Sequence, residues 1–116
     1  MSRDRLFLLQ PGFEDSGRPG QRFFCPYSNQ VEGVLASFPE LAAKVDIHRL
    51  PFPRPRQPVI DLVGENNQSL PVLVLGDESG PAPDDATVTP TGNRFVSDTR
   101  RILELLAQRH GIPQPH

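Results

Sequence analysis

Phe23-Phe24-Cys25-Pro26-Tyr27-Ser28 is the stretch on which the reading of this chain turns. It holds the sole cysteine. Pro26 suits the first position of a helix, where its missing N–H costs nothing. Val31, Val34, Leu35 and Phe38 then follow at the i, i+3, i+4, i+7 spacing of one apolar helix face. A thiol opening a helix sits where the dipole and the free N–H groups favour its anionic form, so chemistry is expected at Cys25. The competing reading is a small packing residue that never reacts.

Upstream of this stretch, Arg5 to Gln10 is mostly apolar and predicts a strand buried on both faces, as in a parallel sheet. Pro11-Gly12 stops it, and residues 11–22 have the composition of a long loop. Downstream, Pro39 interrupts the helix, and Ser37 with Glu40 predicts a capping box that restarts a short turn through Ala43. Val45 to Leu50 alternates apolar and polar residues, the pattern of an edge strand. Pro51 to Pro58, with four prolines and two arginines, is an extended connection. Val59, Leu62 and Val63 make a short helical face between Pro58 and Gly64.

The polar loop 65–69 leads to Leu70–Leu75, whose unbroken apolarity predicts a central strand. Residues 76–93 read as a flexible arm, Arg94-Phe95-Val96 as a short strand, and Ser97 or Asp98 as the cap of a last helix. That helix turns Ile102, Leu105 and Leu106 inward and closes at Gly111 and Pro113. The expected architecture is α/β, one domain over residues 1–116, in the order β-α-β-α-β-β-α. A right-handed crossover makes the first two strands parallel. The result is a four-stranded mixed sheet in the order second, first, third, fourth, with helices on both faces.

At 116 residues, with 36% hydrophobic and 22% charged residues, the chain suits a single-core globular domain. A formal net charge of -2 gives no general case for nucleic-acid binding. No apolar run is long enough to span a membrane, and the first residues lack the apolar core of a signal peptide. One cysteine excludes an intramolecular disulfide and fits a reducing cytoplasm.

Three segments carry a resemblance. Cys25-Pro26-Tyr27-Ser28 resembles the active site of glutaredoxins, and Leu70-Pro71-Val72-Leu73 resembles the cis-proline segment of thioredoxin-like folds. Phe95-Val96-Ser97-Asp98 resembles the segment with which glutaredoxins and glutathione-transferase N-terminal domains hold the γ-glutamyl end of glutathione. The chain is also similar to a bacterial family of small thioredoxin-like proteins with no established function. It departs from glutaredoxins in having Ser28 in place of a second cysteine, a longer loop before Cys25 and a longer arm after Leu75.

The resemblance implies a thioredoxin-like, glutaredoxin-type fold and a one-thiol cycle, in which Cys25 attacks a mixed disulfide and glutathione regenerates it. The Ser28 hydroxyl or local N–H groups would donate to the sulfur. Tyr27 would pack over the ligand, a cis Leu70–Pro71 bond would expose Leu70 backbone groups to substrate, and Ser97 and Asp98 would take the carboxylate and α-amino groups of the γ-glutamyl end. Proline statistics alone favour a trans bond. Arg22 stands loosely where a basic residue precedes the cysteine. Arg22, Arg54 and Arg56 are candidates for the glycine carboxylate, with at least two of the three expected to be solvated loop charges. His48, His110 and His116 suggest no metal set. The alternatives are a non-catalytic binding module for a thiol metabolite, peptide or protein, and an interaction protein that meets a partner through loops 11–22 and 76–93.

Overall fold

Alternation along the first strand builds two cores at once. The computed structural model describes residues 2–116. Strand β1 (Arg5–Leu9) has Leu6 and Leu8 on one face and Phe7 on the other, all buried. Leu6 and Leu8 meet Leu73, Val31, Leu35, Ile102, Leu105 and Leu106. Phe7 meets Val72, Val74, Phe95, Val59 and Val63. A strand buried on both faces must be covered on both, which is why it reads as an unbroken apolar run.

Helix α1 (Pro26–Ser37) and helix α3 (Thr99–His110) cover the first face, and helix α2 (Gln57–Val63) covers the second. Val31 and Leu35 are the inward positions of α1; Val34 and Phe38 lie half-buried against the same core. A short 3-10 turn, Pro39–Ala43, follows α1. Phe38 caps it without a side-chain hydrogen bond, so the capping box expected from Ser37 and Glu40 does not form. Proline at 39 starts the turn without needing one.

Strand β2 (Asp46–Leu50) pairs in parallel with β1, and β3 (Val72–Leu75) pairs antiparallel on the other side of it. Strand β5 (Arg94–Val96) pairs antiparallel with β3. The structure adds a strand to the expected four. Thr87–Val88 forms a two-residue β4 on the outer edge of β5, which makes a five-stranded mixed sheet ordered β2-β1-β3-β5-β4. Both of its residues are exposed, so no apolar pattern announces it.

Residues 76–93, expected as a flexible arm, are tied to the body. Ala86 and Thr89 are buried, Asp85 pairs with Arg101, and the Pro81 carbonyl accepts from Arg109. Loop 11–22 folds back through a bridge between Phe13 and Phe23. Among the described residues, no helix is long and apolar enough to cross a membrane.

Candidate functional site

Cys25 is the N-cap of α1, with extended backbone at φ -82° and ψ 116°. Its Sγ accepts the Ser28 backbone N–H at 3.4 Å, and its carbonyl accepts the Asn29 N–H at 2.9 Å. The sulfur therefore does the work of a capping oxygen, satisfying one of the orphan amides that every helix start exposes. Cys25 as a residue is half-buried. Ser28 is fully buried, and its Oγ accepts the Leu9 N–H at 3.1 Å. The donor that points at the sulfur is thus the Ser28 amide, while the hydroxyl bolts the first turn of α1 to the end of β1. Phe24 and Tyr27, 56% and 60% exposed, flank the thiol as two unburied rings.

The sheet register brings the other expected segments to the same end. Phe7 lies opposite Val72, so the residue before β3, the buried Pro71, falls beside the C-terminal end of β1. Leu73 lies opposite Val96, so Ser97 and Asp98 emerge from β5 next to Val72 and Pro71. The Leu70–Pro71 peptide is cis, and so is Arg54–Pro55. Asp98 caps α3, with Oδ2 accepting the Arg101 N–H at 2.9 Å. Both Ser97 and Asp98 are exposed, and a cavity of about 480 Å³ lined by them with Asp85, Thr87, Arg100 and Arg101 opens at this first turn. Cys25, Leu70, Pro71, Ser97 and Asp98 thus belong to one end of the sheet, with the N-termini of α1 and α3 both opening there.

The three arginines separate. Arg22 and Arg54 are exposed, whereas Arg56 is 7% exposed. Its Nη1 donates to the Gln68 carbonyl and its Nη2 to the Phe52 carbonyl, each at 2.7 Å, and its Nε has no partner. The guanidinium lies 5.8 Å from the centre of the Phe52 ring. Phe52 stacks on Phe13 at 4.4 Å, and Phe13 in turn pairs with Phe23. Burial pushes the Arg56 pKa down, as does the neighbouring charge of Arg54, while the charge of Cys25 acts to raise it. Arginine stays protonated through such shifts. The sequence offered no sign of this: Arg54 and Arg56 share one proline-rich run, and Gln68, the residue that fixes Arg56, stood in a polar loop.

A second polar cluster lies at the opposite end of the sheet. Asp4 immediately precedes β1, and its side chain is fully enclosed. Its carboxylate accepts two hydrogen bonds from Arg109, at 2.8 and 2.9 Å, one from His110 Nε2 at 2.8 Å and one from the Gly76 N–H at 2.8 Å. Burial alone would raise the Asp4 pKa, but His110, Arg109 and Gly76 outweigh it and hold the group at about 2. His110, the last residue of α3, is 6% exposed. A separation of 106 residues between His110 and Asp4 leaves no local pattern that could have joined them.

His48, on the exposed edge strand β2, stacks on Phe7 at 4.9 Å. A groove of about 570 Å³ runs along that edge between Glu32, Leu35, Pro39, Ile47 and Arg49, and includes none of the candidate residues.

No curated protein and no solved structure matches the sequence. A family profile does, over residues 3–114, and its description is "Protein of unknown function (DUF3088)". That match spans nearly the whole chain, which therefore belongs to the DUF3088 family.

Proposed function

We propose that the chain is a glutaredoxin-like, single-thiol oxidoreductase with a thioredoxin-like fold, acting in a reducing cytoplasm with glutathione as co-substrate. The observation that carries this reading is the setting of Cys25: a half-buried cysteine at a helix N-cap, with an amide directed at its sulfur. In the proposed cycle the Cys25 thiolate attacks one sulfur of a mixed disulfide, a new S–S bond forms, and the other sulfur leaves as a thiolate with the electron pair. A glutathione thiolate then attacks the Cys25 mixed disulfide and releases Cys25. Leu70, Pro71 and Tyr27 line the approach, and the first turn of α3 with Ser97 and Asp98 takes the γ-glutamyl carboxylate and amino groups. Arg22, being exposed, contributes only long-range charge.

The exposed rings of Phe24 and Tyr27 favour a second reading, in which the same surface is a non-catalytic docking face for a peptide or a thiol metabolite. Incubation with a glutathionylated peptide and glutathione separates the two. The first reading expects release of the peptide thiol, a transient glutathione adduct on Cys25 seen by mass spectrometry, and loss of both in Cys25→Ser. Turnover that survives Cys25→Ser would sink it.

A further inference from the structure

An edge strand is a row of unpaired backbone groups, and proteins guard such edges by shortness, lysine, proline, a bulge or a cover. The two edges of this sheet are treated differently. Strand β4 has only two residues. Strand β2 has five, runs in unbroken register with β1, and contains no lysine, proline or bulge. Its two charged side chains are neutralised within the chain: Arg49 meets Glu32 at 2.7 and 2.8 Å, and Asp46 meets Arg3 at 3.0 Å. Nothing in the strand itself repels a second strand.

The parallel ladder fixes which groups of β2 are free. The Asp46 N–H donates to the Asp4 carbonyl, and the Gln10 N–H donates to the Leu50 carbonyl. Asp46, His48 and Leu50 therefore turn their backbone groups toward β1, and Ile47 and Arg49 turn theirs outward. The outward row is closed at both ends. The Val45 N–H is taken by the Leu41 carbonyl, and Pro51 has no N–H. Ile47 and Arg49 are thus the whole window, centred on His48. The Arg49 carbonyl is met by the exposed Gln10 side chain at 3.3 Å, a contact that a backbone amide can replace.

We propose that β2 pairs antiparallel with β2 of a second copy, about a two-fold axis through His48, joining the two sheets into one. Only this register matches every group in the window. Ile47 faces the second copy's Arg49, and Arg49 faces its Ile47, so each outward N–H and C=O finds a partner. Moving the axis one residue either way sets the row against the occupied Val45 amide or against Pro51. The side chains agree. At the axis the two His48 rings meet as a non-hydrogen-bonded pair, the closer kind, each stacked on its own Phe7 at 4.9 Å. On the α1 face, the stem of the second copy's Arg49 lies beside Ile47, over the groove of about 570 Å³ walled by Leu35, Ala36, Pro39 and Ala42. Cys25 plays no part in this pairing. With the copies antiparallel, their Cys25 ends point away from each other and both stay open.

Sedimentation and hydrogen exchange on the full chain test this. Wild type should sediment at twice the mass of one chain. Arg49→Pro removes an outward N–H and leaves the ladder to β1 intact, so it should be monomeric. Arg49→Ala loses the Glu32 pair but keeps the N–H, and should still dimerise. His48→Lys sets like charges face to face at the axis and should shift the equilibrium toward monomer. Exchange reads the register itself. The Ile47 and Arg49 amides are protected only in the dimer and exchange through the monomer. The monomer's share of a mostly dimeric solution varies as the inverse square root of concentration. Dilution by about a hundredfold should therefore speed both amides by about tenfold, while Asp46 and His48, bonded to β1, hold their rates. Should Arg49→Pro fail to fold, exchange in wild type decides the matter alone. A wild-type chain that stays monomeric up to about 1 mM overturns the pairing. So does a dimer in which the Ile47 and Arg49 amides stay unprotected, or one that survives Arg49→Pro.

Discussion

Ser28 and Asp98 show how one side chain can serve the fold and the site together, and how the two roles come apart under mutation. The Ser28 hydroxyl is the side-chain partner of the Leu9 amide, and both residues are buried. Ser28→Ala strands that N–H, and a buried unsatisfied donor costs about 1–3 kcal/mol. Chemical denaturation should read this loss, whereas Cys25→Ser, which keeps a capping atom at the N-cap, should lie within about 1 kcal/mol of wild type. Equal stability of Ser28→Ala and wild type would mean that the bolt between β1 and α1 carries no load. Asp98→Ala should cost about 1 kcal/mol as a lost N-cap. On the proposed reading it also raises the KM for glutathione severalfold without slowing alkylation of Cys25 by a neutral reagent. A parallel loss in both measurements would make Asp98 a cap and nothing more.

The elements divide into those that periodicity announces and those that hydrogen bonds alone create. The spacing of Val31 and Leu35 in α1, and of Ile102, Leu105 and Leu106 in α3, was plain because burial selects one face of a helix. β5 was equally plain: Phe95 and Val96 are both buried, one in each core. Strand β4 was not, since Thr87 and Val88 face solvent and are held by pairing with Arg94 and Phe95. The bridge between Phe13 and Phe23 leaves no trace in the sequence for a related reason: two half-buried rings in a loop of Gly, Ser, Asp and Pro form no repeating pattern. Hydrogen exchange should reflect these ties. Thr89 N–H donates to the Asn93 carbonyl at 2.8 Å, and Phe23 N–H to Phe13 at 2.8 Å, so both amides should exchange slowly. The tip of the first loop, residues 14–22, has few such bonds and should exchange fastest. Uniformly fast exchange across 76–93 would show that the ties through Asp85, Ala86 and Thr89 do not hold in solution. Gly76 is a sharper case, because a Cβ there would meet the Ser2 carbonyl oxygen at 2.3 Å and Arg3 backbone at 2.5 Å. Gly76→Ala must push the N-terminal segment away from the arm, at an overpacking cost of about 1–3 kcal/mol.

Across the whole molecule, a buried charge cluster ties the two ends of the chain together beside the apolar core that they share. Asp4 begins the first strand, Gly76 follows the third, and Arg109 with His110 ends the last helix, so one carboxylate gathers three distant segments. Sequence reading found the strands and helices that these residues terminate but not their meeting, since pairing across about a hundred residues depends on the finished sheet. Arg56 and Gln68, only 12 residues apart, are hidden for another reason: a proline-rich run and a polar loop carry no periodicity that would bring them together. The consequence is a defined acid sensitivity. Asp4 titrates at about 2 in the folded protein, against an ordinary value of 3.8. On acidification the unfolded chain therefore takes up this proton first. The group's contribution, about 2 kcal/mol by the size of the shift, is complete above about pH 5 and drains away as pH falls through 4 toward 2. Asp77 and Asp85 are shifted the same way, by Ser2 and by Arg101, but both are exposed and their share is damped by solvent. Asp4→Asn leaves Arg109 enclosed without its counter-charge, which should cost roughly 3–5 kcal/mol at neutral pH. It also removes the titrating group, so the slope of stability against pH between about 5 and 2 should flatten relative to wild type. Denaturation midpoints measured across that window give both quantities. Parallel slopes in the two proteins would show that the acid limb belongs to other carboxylates, and that the Asp4 cluster is held by shape and hydrogen bonds with little help from its charge.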